Sequence, residues 1–161
     1  MWLPDIAQRA RSAQYSAVDD LDRAILRELH ANARLTNAEL ADRVGLTPSP
    51  CLRRVRRLEA DGVIVGYRAV VNPDAVGRGC EVIVNAEIVS QDRKTVEAFE
   101  SQVGAFDEVV EFRRMIGLPD YFIRVAVADL NAFEVFLRTK LMEQPAISKI
   151  ESHLTMKKLK G

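Results

Sequence analysis

Cysteine is scarce in this chain, and its scarcity removes whole classes of protein. Only Cys51 and Cys80 occur in 161 residues, so a disulfide framework is not expected and both thiols read as reduced and partly buried. Histidine is equally sparse: His30 and His153 stand far apart, in neither a metal-ligand nor a catalytic-triad spacing. A glycine-rich phosphate loop is lacking as well, which leaves no signature of an enzyme and no call for a metal or cofactor. Long hydrophobic runs are missing too, every one falling short of the roughly 20 residues of a membrane helix. Residues 1–14 lack the basic start and apolar stretch of a signal peptide, so a cytoplasmic address is expected.

Net charge is also absent, with 23 basic and 23 acidic residues. The layout is nevertheless uneven. Between residues 43 and 72 stand Arg43, Arg53, Arg54, Arg56, Arg57 and Arg68 against only Glu59 and Asp61. A neutral protein with one basic patch can bind a polyanion, because local potential and counterion release govern that contact.

What the chain does contain is an apolar content of 48%, enough for packed cores, and clear periodicity. Residues 1–17 show no period and read as a tail without assigned function. Leu21, Ile25 and Leu29 then recur at four-residue spacing from a start near Asp19 or Asp20, giving a first helix whose acidic beginning suits its positive end. Thr36-Asn37-Ala38-Glu39 has the capping-box form and opens a short helix over 37–44, closed by Gly45. Thr47 is expected to cap a third helix with Pro48 at its first position, running to about Ala60 and stopped by Gly62. Helix, short helix, glycine turn and helix make a helix-turn-helix over 18–62. Residues 63–71, β-branched and aromatic, predict a strand, and 63–80 as a whole read as strand and linker.

The remainder, 81–158, alternates strands and helices. Strands are expected over 81–88, 106–116, 121–127 and 147–157. Helices are expected over 92–103, with Val96, Phe99 and Val103 inward, and over 130–142, with Leu130, Phe133, Leu137 and Leu141 inward. The order βαββαβ describes a ferredoxin-like sheet with helices on one face. The fold class is thus α+β, an N-terminal helix-turn-helix (winged-helix-like) followed by that sheet domain. Apolar residues on the other sheet face point to packing against a second subunit.

On a helical wheel of about 100° per residue, Cys51, Leu52, Val55 and Leu58 gather on one arc of the third helix and Arg53, Arg54, Arg56 and Arg57 on the other. Arginine's planar fork grips phosphate or a guanine edge at two points, and the first turns of a helix in the major groove reach the bases. Ser49, Pro50 and Arg53 are therefore candidate base contacts. Arg54, Arg56 and Arg57 are candidate phosphate contacts, with Arg43 and Thr47 beside them, and few acidic neighbours are expected to compete for these arginines.

The strings Leu21-Asp22-Arg23-Ala24-Ile25-Leu26, Asn37-Ala38-Glu39-Leu40-Ala41, residues 44–59 and Gly62-Val63-Ile64-Val65-Gly66-Tyr67 resemble the N-terminal half of the Lrp/AsnC, or feast/famine, regulators. Gly117-Leu118-Pro119-Asp120-Tyr121 resembles that family's glycine-x-x-aspartate-tyrosine turn. The resemblance implies a transcription regulator on double-stranded DNA at the nucleoid. It also implies homodimers built through the C-terminal domains, assembling into tetramers or octamers, and an amino-acid-like effector bound between subunits near the turn. Gly117, Asp120 and Tyr121 match the motif. Leu118, Leu130, His153, Leu154 and Thr155 fall where similar proteins line the effector pocket. In this reading Asp120 accepts from an α-ammonium group and Thr155 bonds the carboxylate. The rival reading is an architectural, nucleoid-type DNA-binding protein without an effector.

Overall fold

The structure, a computed structural model, describes residues 18–157. The N-terminal tail and residue 158 lie outside them. The chain divides between Ala69 and Val70 into two units.

In the first unit, α1 (Asp20–Ala31), α2 (Asn37–Arg43) and α3 (Pro48–Ala60) follow one another. Each boundary has a local cause. Asp19 and Asp22 form a reciprocal capping box at the start of α1, and Thr36 and Glu39 do the same for α2. Gly45 and Gly62 adopt φ of +70° and +69°, the left-handed conformation that ends a helix without a Cβ clash. Thr47 precedes α3 but makes no side-chain cap bond. One of the two amides such a hydroxyl can accept from is missing, because the third helical residue is Pro50. Ile25, Leu40, Ala41, Cys51 and Leu58 form the buried centre of this unit. Leu52, expected on the inner arc, is 37% exposed.

The strand expected over 63–71 is not formed. Val63 and Ile64 donate their amides to the Leu58 carbonyl at 2.9 and 3.0 Å, finishing α3. Beyond them Val65 and Val70 are almost wholly exposed. A strand needs a neighbouring ladder, and among the described residues no strand of the chain lies beside this segment.

The second unit holds β1 (Cys80–Ile88), α4 (Arg93–Gly104), β2 (Val109–Arg114), β3 (Tyr121–Val127), α5 (Leu130–Phe136) and β4 (Ile147–Leu154), after a short 3-10 turn at Asp74–Val76. The strands lie in the order β2-β3-β1-β4, all neighbours antiparallel. Val82, Val84 and Ala86 of β1 and Tyr121, Ile123 and Val125 of β3 face the helices and are buried with Val96, Phe99 and Val103 of α4. α5 continues as a wider π-type segment, Leu137–Leu141. Phe133, Phe136 and Leu141 face the core, while Leu130, expected inward, is 55% exposed. It is the first residue of α5, ahead of the turns that meet the sheet.

The opposite sheet face is more polar than expected. Arg124 bridges Glu81 at 2.8 Å and Glu111 at 3.0 Å, and Lys149 bridges Glu151 at 2.9 Å. Its apolar members include the half-buried Ile83 and Phe122, the buried Ala126 and the exposed Val110. The alternation seen in sequence was correct in period, but the registers place charge on this side.

Asp92 caps α4 and gives a prediction about pH. Bonds from the side chain and amide of Thr95, with the Ser90 hydroxyl, hold its carboxyl down to about 2. A depressed carboxyl contributes stability that is present above its unfolded value and lost as pH falls through the folded one. Asp92→Ala is therefore expected to lower the melting temperature at neutral pH, with the difference from the parent closing between about pH 4 and pH 2 in thermal melts.

Candidate nucleic-acid interface and effector turn

α3 carries four arginines in two different situations. Arg53 and Arg56 are exposed, and among the described residues neither makes an ion pair or hydrogen bond. Ser49 and Thr47 at the start of α3 are exposed and Pro50 is half-buried. Arg54 and Arg57 turn the other way. Arg54 Nη1 donates to Asp19 Oδ2 at 2.7 Å and to Asp22 Oδ1 at 2.9 Å, while Arg57 Nη2 donates to Asp22 Oδ2. The Asp22 side chain is fully buried. The Arg54 guanidinium holds its proton more firmly for this pairing, and the bond from the Asp22 amide, with that guanidinium, depresses the Asp19 carboxyl.

The expectation of few acidic neighbours is thus corrected for half of the arginine face. In the sequence Asp19 and Asp22 read only as acids suited to a helix start. Their three-residue spacing, which is the capping-box spacing, was the available signal that these side chains are held in place. Arg43 is exposed and paired with Glu28 at 3.1 Å. α3 is also pinned at its other end, where Asn37 Nδ2 donates to the Pro48 carbonyl at 2.8 Å.

In the second unit the turn before β3 is exposed at Gly117 and at Leu118, which is 77% accessible. Gly117 has φ +99°, a region that side chains other than glycine avoid. Asp120 looks back into the chain: Oδ2 accepts from the Ile88 amide at 2.8 Å and Oδ1 from Gln91 Nε2 at 2.6 Å. Gln91 in turn accepts from Arg114 at 3.1 Å. Asp120 therefore braces the turn against the end of β1, a role in which sequence reading missed Gln91. The Tyr121 ring is in the core, stacked edgewise on Phe99 at 4.9 Å. Its hydroxyl donates to Glu100 at 2.9 Å. Burial, with the neighbouring Glu100 carboxylate, pushes its ionisation up to about 12.

The remaining expected effector residues sit elsewhere. Leu154 pairs with Val82 and His153 with Ile83, whereas Ile88, beside the turn, pairs with Ile147. At ~3.3 Å per residue Val82 and Ile88 are about 20 Å apart along β1. Leu130, following the end of β3, belongs with the His153 group. A cavity of about 320 Å³ by the turn is lined by Leu118, Pro119, Asn85, Glu87, Lys149 and Glu151. A separate one of about 450 Å³ takes in Thr155, Glu81 and Arg124, and among the described residues the buried Thr155 hydroxyl has no partner. One chain does not bring the predicted effector residues together.

Residues 18–65 match the family described as winged helix-turn-helix DNA-binding, and residues 81–161 match the Lrp/AsnC ligand binding domain. The chain is 36% identical over 144 residues to the leucine-responsive regulatory protein of Haemophilus influenzae, covering 89% of this chain and 87% of that one. Among solved structures it is similar to a transcriptional regulator from Neisseria meningitidis in complex with L-Met, with a TM-score of 0.86, 33% identity and coverage of 90% and 94%. An AsnC family transcriptional regulator from Agrobacterium tumefaciens gives 0.84, 37% identity and coverage of 89% and 93%.

Proposed function

Since the chain belongs to the Lrp/AsnC family of transcription regulators, which are not enzymes, we propose that it reads DNA with the exposed side of α3 and answers to an amino acid held at the Gly117 turn. The observation carrying the DNA half is the pair Arg53 and Arg56, charged, exposed and unpaired among the described residues, on a helix fixed to its neighbours. Arg53 and Ser49, nearest the start of α3, are assigned to base edges. Arg56, with Arg43 and Thr47 at the margins, is assigned to phosphates. Two copies in a dimer place two such helices about one duplex turn apart.

The effector half rests on the turn and on the separation of its expected partners. The L-Met bound by the Neisseria meningitidis relative supports an amino acid as the ligand class. Gly117 leaves the backbone open to close approach, and among the described residues, its two chain neighbours aside, nothing stands within 4 Å of where a Cβ would be. The Leu130, His153, Leu154 and Thr155 group is assigned to the same pocket through a second copy of the chain, which makes the pocket an inter-subunit one. Effector binding then shifts the balance between assemblies, dimer against tetramer or octamer, through unequal affinity for them.

A panel of amino acids, followed by light scattering with a genomic operator fragment in gel shift, tests both halves. One compound that changes particle size and DNA affinity together is the expected result. Retardation without response to any compound would favour an architectural role. Asp120→Ala is expected to release the Ile88 amide and Gln91, so the turn loosens and the ligand response falls at least tenfold while DNA affinity stays. An unchanged response in calorimetry would place the pocket away from this turn.

A further inference from the structure

The capping box of α1 does more than start a helix. Asp22 Oδ2 accepts from the Asp19 amide at 3.1 Å, and Asp19 Oδ1 accepts from the Asp22 amide at 2.8 Å. The remaining capacity of the same two carboxylates receives Arg54 and Arg57 of α3. Asp22 is the one charged residue of the described chain that is completely buried. Its attachment points on α3 are one helical turn apart, so they fix the helix in rotation as well as in position. A single contact would fix the rotation less tightly, leaving it to the packing of Cys51 and Leu58.

We propose that Asp22 is a positioning residue that sets the sequence specificity of DNA recognition, by holding α3 at the one rotation where Arg53 and Arg56 meet the groove. The proposal rests on the DNA-binding reading above. Arg53 and Arg56 each directly precede a clamped arginine, so about 100° separates each free side chain from a held one. A roll of about 20° moves a group ~6 Å from the helix axis by roughly 2 Å. That exceeds the tolerance of a bidentate contact to a base edge. Phosphate contacts at flexible arginine tips follow net charge and tolerate such a shift.

The clamp also removes the charge of Arg54 and Arg57 from the DNA face. Asp22→Asn therefore has opposite consequences for two kinds of binding. It loosens the rotation and makes the domain more positive by one unit.

The test compares full-length parent and Asp22→Asn on a selected operator and on random-sequence duplex, at a temperature well below both melting points. The expected result is an operator affinity lower by about tenfold, the size of one lost base contact, with random-duplex affinity unchanged or higher. A residue that only stabilised the fold would lower both in the proportion of folded protein. Asp19→Asn, at a half-exposed side chain, keeps the buried carboxylate and is expected to move the ratio the same way by about threefold. Asp22→Glu restores the charge and is expected to recover part of the discrimination. An operator-to-random ratio equal to the parent's in both asparagine variants overturns the proposal. A parent protein that prefers no fragment over random duplex would instead remove the DNA reading, and the clamp's role with it.

Discussion

Replacing Arg53 and Arg56 together with alanine is expected to erase sequence discrimination and to lower affinity for any duplex by about a hundredfold at moderate salt. These two guanidiniums are the ones on α3 without an internal partner among the described residues. A bidentate base contact contributes about 1–3 kcal/mol of discrimination. Each phosphate contact contributes about 0.9 to the slope of log affinity against log salt. The single variants separate the roles. Arg53→Ala should flatten preference among operator variants. Arg56→Ala should weaken all sequences alike and reduce the salt slope by about one. Equal loss of specificity from both would contradict the division. Arg57→Ala belongs to a different class, because it leaves the Asp22 carboxylate buried with one guanidinium fewer. Its first effect is expected on the melting of the helical unit.

The largest stability effect is expected at Phe99. Its ring meets Tyr121 at 4.9 Å and Phe112 at 5.9 Å, both edgewise, and it is only 1% exposed. It joins α4 to β2 and β3 at one point. Phe99→Ala removes the ring and leaves a cavity that close-packed neighbours cannot fill, at a cost of about 3–5 kcal/mol. Denaturant unfolding monitored on the sheet unit measures it directly. A loss under about 1 kcal/mol would mean that the aromatic cluster repacks, and that α4 is held mainly by Val96 and Val103.

Much of this architecture could be read from sequence because its causes are local. Thr36 and Glu39, Gly45, Pro48 and Gly62 each act within one turn of the helix they start or stop. The buried positions Val96, Phe99 and Val103, like Tyr121, Ile123 and Val125, obey periods of 3.6 and 2 that belong to the backbone itself. Thr47 shows the limit of reading one residue at a time: it makes no cap bond, and Pro50, three residues on, has no amide hydrogen to offer it. Leu52 and Leu130 satisfied the apolar period yet lie exposed, because periodicity gives a face but not what covers it.

Segment 63–71 shows a second limit. Val63, Ile64, Val65, Val70 and Val71 have the composition of a strand, but strand formation is a property of a pair. Among the described residues no strand lies beside this segment.

Local sequence thus determined where each helix begins and ends, which face of it is apolar, and that α3 is an arginine-bearing helix behind a glycine turn. Those features depend on atoms a few residues apart. Tertiary structure alone decided which arginines remain available to a phosphate or a base, because Asp19 lies 35 residues from Arg54. It also put the Gly117 turn beside the end of β1 and His153 opposite Ile83, well along the strand, a matter of strand register. Both outcomes are distances between remote segments, and such distances exist only once the chain has closed on itself.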